Sequence, residues 1–418
     1  MNLLLLIIVA LWLLSVTAVF CWKNKLFRQT WREPYFADTP VLIESDDWGP
    51  GEDFHAGRLA QLLACLQGHK DSVQRSAVIT ADMVLSVPDM EKISADPEGC
   101  YHRKMLDEAD PEIYRLMLES IKTGVFVPQL HGLEHLNGQA FARLCRHKDA
   151  RIAAAVANPH GWNWETLASP LQGHYVDGSR LPTPAINPEN AHAVIALAAQ
   201  TFEQLFGYPS ISTVAPCYLW DGAVESVWRQ HGIHIIQTGG YRCDGIDERG
   251  KHREDKLLIR PGDISDAGQV YLVRNVMYEP TDGNNNAETA YREALSAREQ
   301  ALPICISSHR YNYTRSEEAF RQSLAGLDSL LSAIGQTCPD SRFVSSPELG
   351  VQILIPSVAM INHFNGEQWP PLKRLTGAKK IAPFLRRLHA RHPKLALIGC
   401  LTGLIIPAWM ICKLGKAK

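Results

Sequence analysis

Pro40–Gly49 reads PVLIESDDWG, and the fold follows from how that stretch is read. A short apolar run, Pro40–Glu44, gives way to two adjacent carboxylates, Asp46 and Asp47, and then to a Trp-Gly turn. Apolar runs of this length bounded by turn residues are strand signals. In parallel α/β architectures, ligand sites gather at the carboxyl ends of strands. Two neighbouring carboxylates repel unless a cation or a proton comes between them. Successive residues of a strand also point to opposite faces, so the chain must turn to bring both to one place. On its own, a solvated acidic turn explains the same residues.

Outward from this segment the pattern repeats. Further strand-like runs are Ser76–Thr80, Val125–His131, Ile211–Ala215, Ile233–Thr238, Gln269–Arg274, Pro303–Ser308 and Arg342–Ser345. Between them lie amphipathic stretches: Gly57–Leu66, Pro111–Thr123, Glu189–Phe206, Asp221–His231, Ala287–Glu299 and Ser316–Ile334. Their apolar residues recur every three or four positions, as in Leu324, Leu327, Leu330 and Leu331. Strands alternating with such helices predict an α/β fold with parallel pairing, and about seven or eight units favour a closed (β/α) barrel over an open sheet. Residues 139–182 break the rhythm and read as an insertion; 351–394 read as a connector.

Two more segments place reactive side chains after strands. Gln129–His135 (QLHGLEH) carries His131 and His135, four apart, a spacing that lets two imidazoles share one metal ion. Glu134 between them is open to three readings: extra ligand, general base or exposed side chain. The order H-x-x-E-H matches a helical protease motif literally, yet here the first His ends a strand. Ser307–Tyr313 (SSHRYNY) places His309 beside Arg310, Tyr311 and Tyr313, where it can act as an acid or base or simply be a hydrogen-bonded loop residue. Taken together, one Asp and two His make a three-ligand site with an open position, the signature of a catalytic metal centre.

These residues resemble the polysaccharide deacetylases of carbohydrate esterase family 4, and the phrases HGLEHLNG, SSHRYNYT and RFVSSPELG resemble a bacterial polysaccharide deacetylase-like subgroup. The resemblance spans roughly Val41 to Gly350. It implies a distorted (β/α) barrel and a divalent metal, zinc by expectation, held by Asp47, His131 and His135. It implies Asp46 as general base, His309 as general acid and the Tyr218 backbone N–H as oxyanion donor. Family members usually carry Arg where this chain has Ala215, so either Arg310, Arg242 or Arg274 orients the base instead or the base is tuned differently; the usual Leu two before the catalytic His is replaced by Ser307. Trp48, Arg310 and Tyr313 are the expected substrate contacts, with Trp162, Trp164 and Trp220 as further aromatic platforms.

The two ends of the chain are apolar. Leu3–Trp22 carries no charge over a length that crosses a hydrocarbon core and predicts a membrane anchor over residues 1–22. Leu395–Cys412 is a second candidate segment, ahead of a basic tail at 413–418. Lys23, Lys25, Arg28 and Arg32 follow the first segment, which by the positive-inside rule keeps the body of the protein, 23–394, on the cytoplasmic side of a bacterial inner membrane.

The 418 residues hold 42 Lys+Arg against 44 Asp+Glu, which leaves no basic excess to displace counterions from nucleic acid. Hydrophobic residues make up 46%, enough for a core, and ten cysteines are too few for a disulfide scaffold. The expected activity is metal-dependent removal of an N-acyl group from a glycan or glycolipid at the membrane. The alternatives are a metal-independent glycoside hydrolase on a related barrel and a silent glycan-binding scaffold.

Overall fold

All eight predicted apolar runs form strands of one parallel sheet, joined by a ninth short strand that the sequence reading missed. The structure, a computed structural model, describes residues 3–52, 54–157, 164–361 and 366–401. In chain order the strands are β1 (Thr39–Trp48), β2 (Ile79–Val84), β3 (Phe126–Gly132), β4 (Ser212–Val214) and β5 (Ile235–Thr238). They continue as β6 (Val270–Val273), β7 (Val276–Met277), β8 (Ile304–His309) and β9 (Ser341–Val344). Their spatial order is β6-β5-β4-β3-β2-β1-β8-β7, with β9 paired to the first half of β1.

A continuous closed ladder is not what forms. Instead the two ends of the sheet are consecutive in the chain. The Arg274 N–H donates to the Thr238 carbonyl on one side (3.0 Å), and the Asn275 N–H donates to the Cys305 carbonyl on the other (3.1 Å). One bent strand thus changes partner at Arg274–Asn275. The Asn275 side chain stands in for the missing ladder bonds, accepting from the Cys305 N–H (2.9 Å) and donating to the Pro303 carbonyl (2.8 Å). The barrel is distorted at this seam.

Strand alternation sorts the residues of β1. Val41 and Ile43 face outward into the main core with the helices that follow the strands: α1 (Leu3–Arg32) lies outside this set, while α2 (Phe54–Gly68), α3 (Pro111–Ile121), α4 (Pro188–Phe206), α5 (Gly222–Gln230), α6 (Ala287–Glu299) and α7 (Glu317–Thr337) cover the sheet. Leu42 faces inward and packs with Ile235, Leu272, Cys305, Leu349 and Ile353, the last two from α8 (Ser346–Leu354). Apolar side chains therefore fill the lower interior, and Glu44 and Asp46, two and four residues further on, open the polar upper half.

Gly49 shows how tightly β1 and β2 are drawn together at that end. A Cβ on Gly49 would lie 2.3 Å from the Val84 carbonyl oxygen, which is backbone and cannot swing away. Gly49→Ala is expected to destabilise the fold by about 1–3 kcal/mol, measured as a lowered urea midpoint with unchanged slope.

The insertion packs as its own small cluster, with Phe141, Leu144, Ile152, Trp164 and Leu171 against Val84 and Val87. Trp162 lies outside the described residues.

The expected membrane anchor at Leu3–Trp22 forms part of a longer helix, α1, bent by 59° between Leu3–Val19 and Cys21–Arg32. Among the described residues no single helix is long and apolar enough to cross a membrane; the two arms of α1 meet that test only together. Lys23, Lys25, Arg28 and Arg32 make the second arm amphipathic, and it packs on α9 (Ile381–Arg391) through Phe27 and Trp31 against Phe384. Of the second apolar segment, 395–401 belongs to a short helix, Pro393–Leu401, and the rest lies outside the described residues.

Candidate active site

Asp46 reaches the barrel interior by alternation, but Asp47 should point the other way. It does not, because Asp47 adopts a left-handed backbone conformation (φ 72°) where the pairing of β1 with β2 shifts register between Ser45 and Trp48. Asp is among the few side chains that tolerate this region, and strain of this kind gathers at functional sites. The bulge turns both carboxylates to one side.

His131 is the penultimate residue of β3, and His135 follows in the loop. His131 Nε2 lies 3.3 Å and His135 Nε2 3.2 Å from the same oxygen, Oδ1 of Asp47. These separations match the edge of a tetrahedron whose centre lies about 2 Å from each donor. Asp47 Oδ1 and His131 Nε2 are buried and have no hydrogen-bond partner. His131 Nδ1 lies 2.9 Å from the Val214 carbonyl, which fixes the proton on Nδ1 and leaves the Nε2 lone pair free. Burial pushes the His135 pKa down to about 4, only partly offset by Asp47, so its imidazole is neutral and can ligate. Burial would raise the Asp47 pKa, but His135 and His131 outweigh it and hold the carboxylate ionised. Orphaned donors, a shared focus and ready protonation states fit a divalent cation.

Glu134 is neither ligand nor base. It is buried, 2.5 Å from Arg103 Nε, and accepts from the Ser86 hydroxyl (3.0 Å).

Asp46 is gripped from the seam of the barrel. Arg274 Nη1 and Nη2 donate to its two oxygens (2.7 and 2.5 Å), Nε to Glu44 (2.9 Å), and Nη2 reaches Asp82 (3.3 Å). Of the three arginines that could replace the missing Arg at 215, Arg274 is thus the one in place. Arg242 pairs with Glu225 (2.7 Å), and Arg310 donates to the Pro50 carbonyl (2.9 Å). Burial raises the Asp46 pKa, but the Arg274 charge and hydrogen bonds outweigh that and keep it low. Asp82 goes the other way: burial and then the Asp46 charge push it well up, so a neutral acid sits beside the Arg274–Asp46 pair.

His309 ends β8 beside Asp46. Its Nδ1 is 2.7 Å from Glu279 and its Nε2 is 3.7 Å from Asp46 Oδ2. Burial alone would lower its pKa, yet Glu279, then Asp46 and Asp47, raise it to about 10. The sequence reading missed Glu279; it follows β7, the strand also missed. Because the folded pKa lies above the ordinary 6.5, the stability this imidazolium contributes is complete below about pH 6.5 and lost as pH rises through about 10. In cation-free protein, Glu279→Gln is expected to lower the His309 pKa and pull that alkaline loss of stability to lower pH, read by NMR titration of the ring and by denaturation at several pH values.

Five of the expected residues take other roles. Trp48 and Tyr313 are fully buried, Trp48 donating from Nε1 to the Ser45 hydroxyl (3.0 Å), so they belong to the core and offer no sugar platform. Arg310 is also buried, its guanidinium 4.4 Å from the Trp164 ring centre. The Tyr218 N–H, expected to face an oxyanion, donates to the Ala215 carbonyl (2.9 Å), because Cys217 and Tyr218 both take positive φ in a tight turn. What Tyr218 offers instead is its hydroxyl, which accepts from Arg274 (3.0 Å). Trp220 is buried as well. Trp164 does approach the site, stacked on His135 at 5.6 Å and 11°. A cavity of about 240 Å³ is lined by Asp46, Asp47, His131, His135, His309 and Tyr311, among others.

No protein-family model and no curated protein matches this chain. Several solved structures are similar to it. A family 4 carbohydrate esterase from Streptomyces lividans is 10% identical over 73% of this chain and 91% of its own, with a TM-score of 0.34. A family 4 acetyl xylan esterase from Clostridium thermocellum, in complex with a cobalt ion, is 10% identical over 74% and 90%, TM-score 0.35. A 4-alpha-glucanotransferase from Thermococcus litoralis is 11% identical over 85% of this chain and 46% of its own, TM-score 0.39.

Proposed function

We propose that this protein is a metal-dependent hydrolase that removes an N-acyl group, acetyl in the simplest case, from a sugar. The observation that carries the reading is the convergence of Asp47, His131 and His135 on one point beside an ionised Asp46 and a protonated His309.

The donor set of one carboxylate and two imidazoles suits zinc. When bound, the cation would supply Lewis acidity at the acyl carbonyl and lower the pKa of water toward ~7. Asp46, fixed by Arg274, would accept the proton of the attacking water through a remaining lone pair. The carbonyl carbon gains a C–O bond and then loses its C–N bond. His309, held as imidazolium by Glu279, would deliver the Nε2 proton to the departing amine, leaving a carboxylate and a free amino sugar. Asp82, neutral in the same network, would add no further negative charge beside Arg274.

A glycan or glycolipid substrate, a membrane seat for α1 and a cytoplasmic-facing body complete the proposal; the basic residues after the apolar arm support that side. The test is metal analysis of the purified chain followed by acetate release from a panel of free, polymeric and lipid-linked N-acetyl sugars. Turnover that survives exhaustive chelation would sink the metal-dependent reading. Alkaline-phosphatase fusions along 23–394 that report an external location would overturn the sidedness.

A further inference from the structure

The outer helical layer holds a second group of ligand atoms that the catalytic reading does not use. Cys65 lies in the last turn of α2, His69 one residue beyond its end, and Asp328 on α7. His69 Nε2 is 2.9 Å and Cys65 Sγ 3.9 Å from the same Asp328 oxygen, and the three donor atoms all lie within 4.8 Å of one another. Cys65 and His69 are four apart, so they emerge on one side of the helix end, as a chelating pair does. In a tetrahedral zinc site with one sulfur, the edges are about 3.3–3.6 Å, and the observed separations bracket that range.

An ordinary His–Asp ion pair accounts for two of these residues. It does not account for a thiol directed at the same carboxylate oxygen. From this geometry we infer that Cys65, His69 and Asp328 form a second binding site, for a borderline-soft divalent cation such as zinc. The Asp328 side chain is 62% exposed, which leaves room for water as a fourth ligand. α2 follows β1 and α7 follows β8, the neighbouring strands that carry Asp46, Asp47 and His309. A cation here clamps the two helices behind those strands. Because none of its ligands belongs to the catalytic cluster, the inference stands or falls separately from the proposed activity.

Cobalt(II) titration of the full chain in detergent tests it, because cobalt bound to thiolate gives a sulfur-to-metal charge-transfer band that Asp and His ligands do not. Cys217 also lines the catalytic cavity, so Cys217→Ser is the control. The wild type is expected to take two equivalents and show the band. Cys65→Ser and Asp328→Asn should each lose one equivalent and the band, while Cys217→Ser keeps both. A wild type that takes one equivalent with a band that vanishes in Cys65→Ser also supports the site, and then counts against the catalytic one. The inference is overturned by saturation without a band, by a band that persists in Cys65→Ser, or by one that disappears in Cys217→Ser. If the Cys65 and Asp328 variants misfold, zinc protection of Cys65 from alkylation in the wild type decides: at least tenfold slowing upholds the site, and no slowing overturns it.

Discussion

Asp46→Asn and His309→Ala each lower turnover on an N-acetyl sugar by about 10²–10⁴-fold, the range expected for losing one acid–base partner, while the far-ultraviolet circular dichroism stays native. The fold tolerates Asp46→Asn for a specific reason. Removing the Asp46 charge takes away one of the influences that hold Asp82 neutral, and Arg274 keeps Glu44 and Asp82 as partners. His309 is 28% exposed at the end of its strand, and its truncation leaves Glu279 still bonded to Asn312. Metal content is unchanged in both variants, since neither residue is a ligand in this reading. Full turnover in His309→Ala would remove its acid role.

Asp47→Ala, His131→Ala and His135→Ala lose the cation and the activity together. Changes to groups that merely orient ligands cost about 10–100-fold in metal affinity, so loss of a ligand itself is expected to exceed about 100-fold. Asp47 has the largest consequence, because both imidazoles meet on its Oδ1. Apo-protein and the three variants should therefore behave alike in acetate release, and added zinc should restore only the wild type. A variant that binds zinc normally but does not turn over would move that residue from ligand to base. The contrast between this set and Asp46→Asn separates the two neighbouring carboxylates by a measurement that activity alone cannot provide.

Much of this was legible before any coordinate. Eight strands and six helices follow from the apolar periodicities, because inward and outward faces of a strand or helix must differ in chemistry. That one aspartate of the pair joins His131 and His135 was legible from residue types after strands; the choice of Asp47 over Asp46 came from the family resemblance. Arg274 was legible only as one of three possibilities, since nothing local in QVYLVR reveals that its strand changes partner one residue later. Glu279 follows a two-residue strand too short to register as a period. Trp48 and Tyr313 misled for the opposite reason: aromatics next to reactive groups read alike whether they line a cavity or support its floor, and only packing tells them apart. The Tyr218 amide misled because a turn with two positive φ angles satisfies that N–H internally.

Helix α1 precedes β1, and Asp46 and Asp47 stand seven and eight residues beyond the first residue of β1, Thr39, about 23–26 Å along the extended strand. Were the oily arm of α1 sunk in a lipid leaflet, the chain running from α1 into β1 would tie that leaflet to the strand whose far half carries both carboxylates.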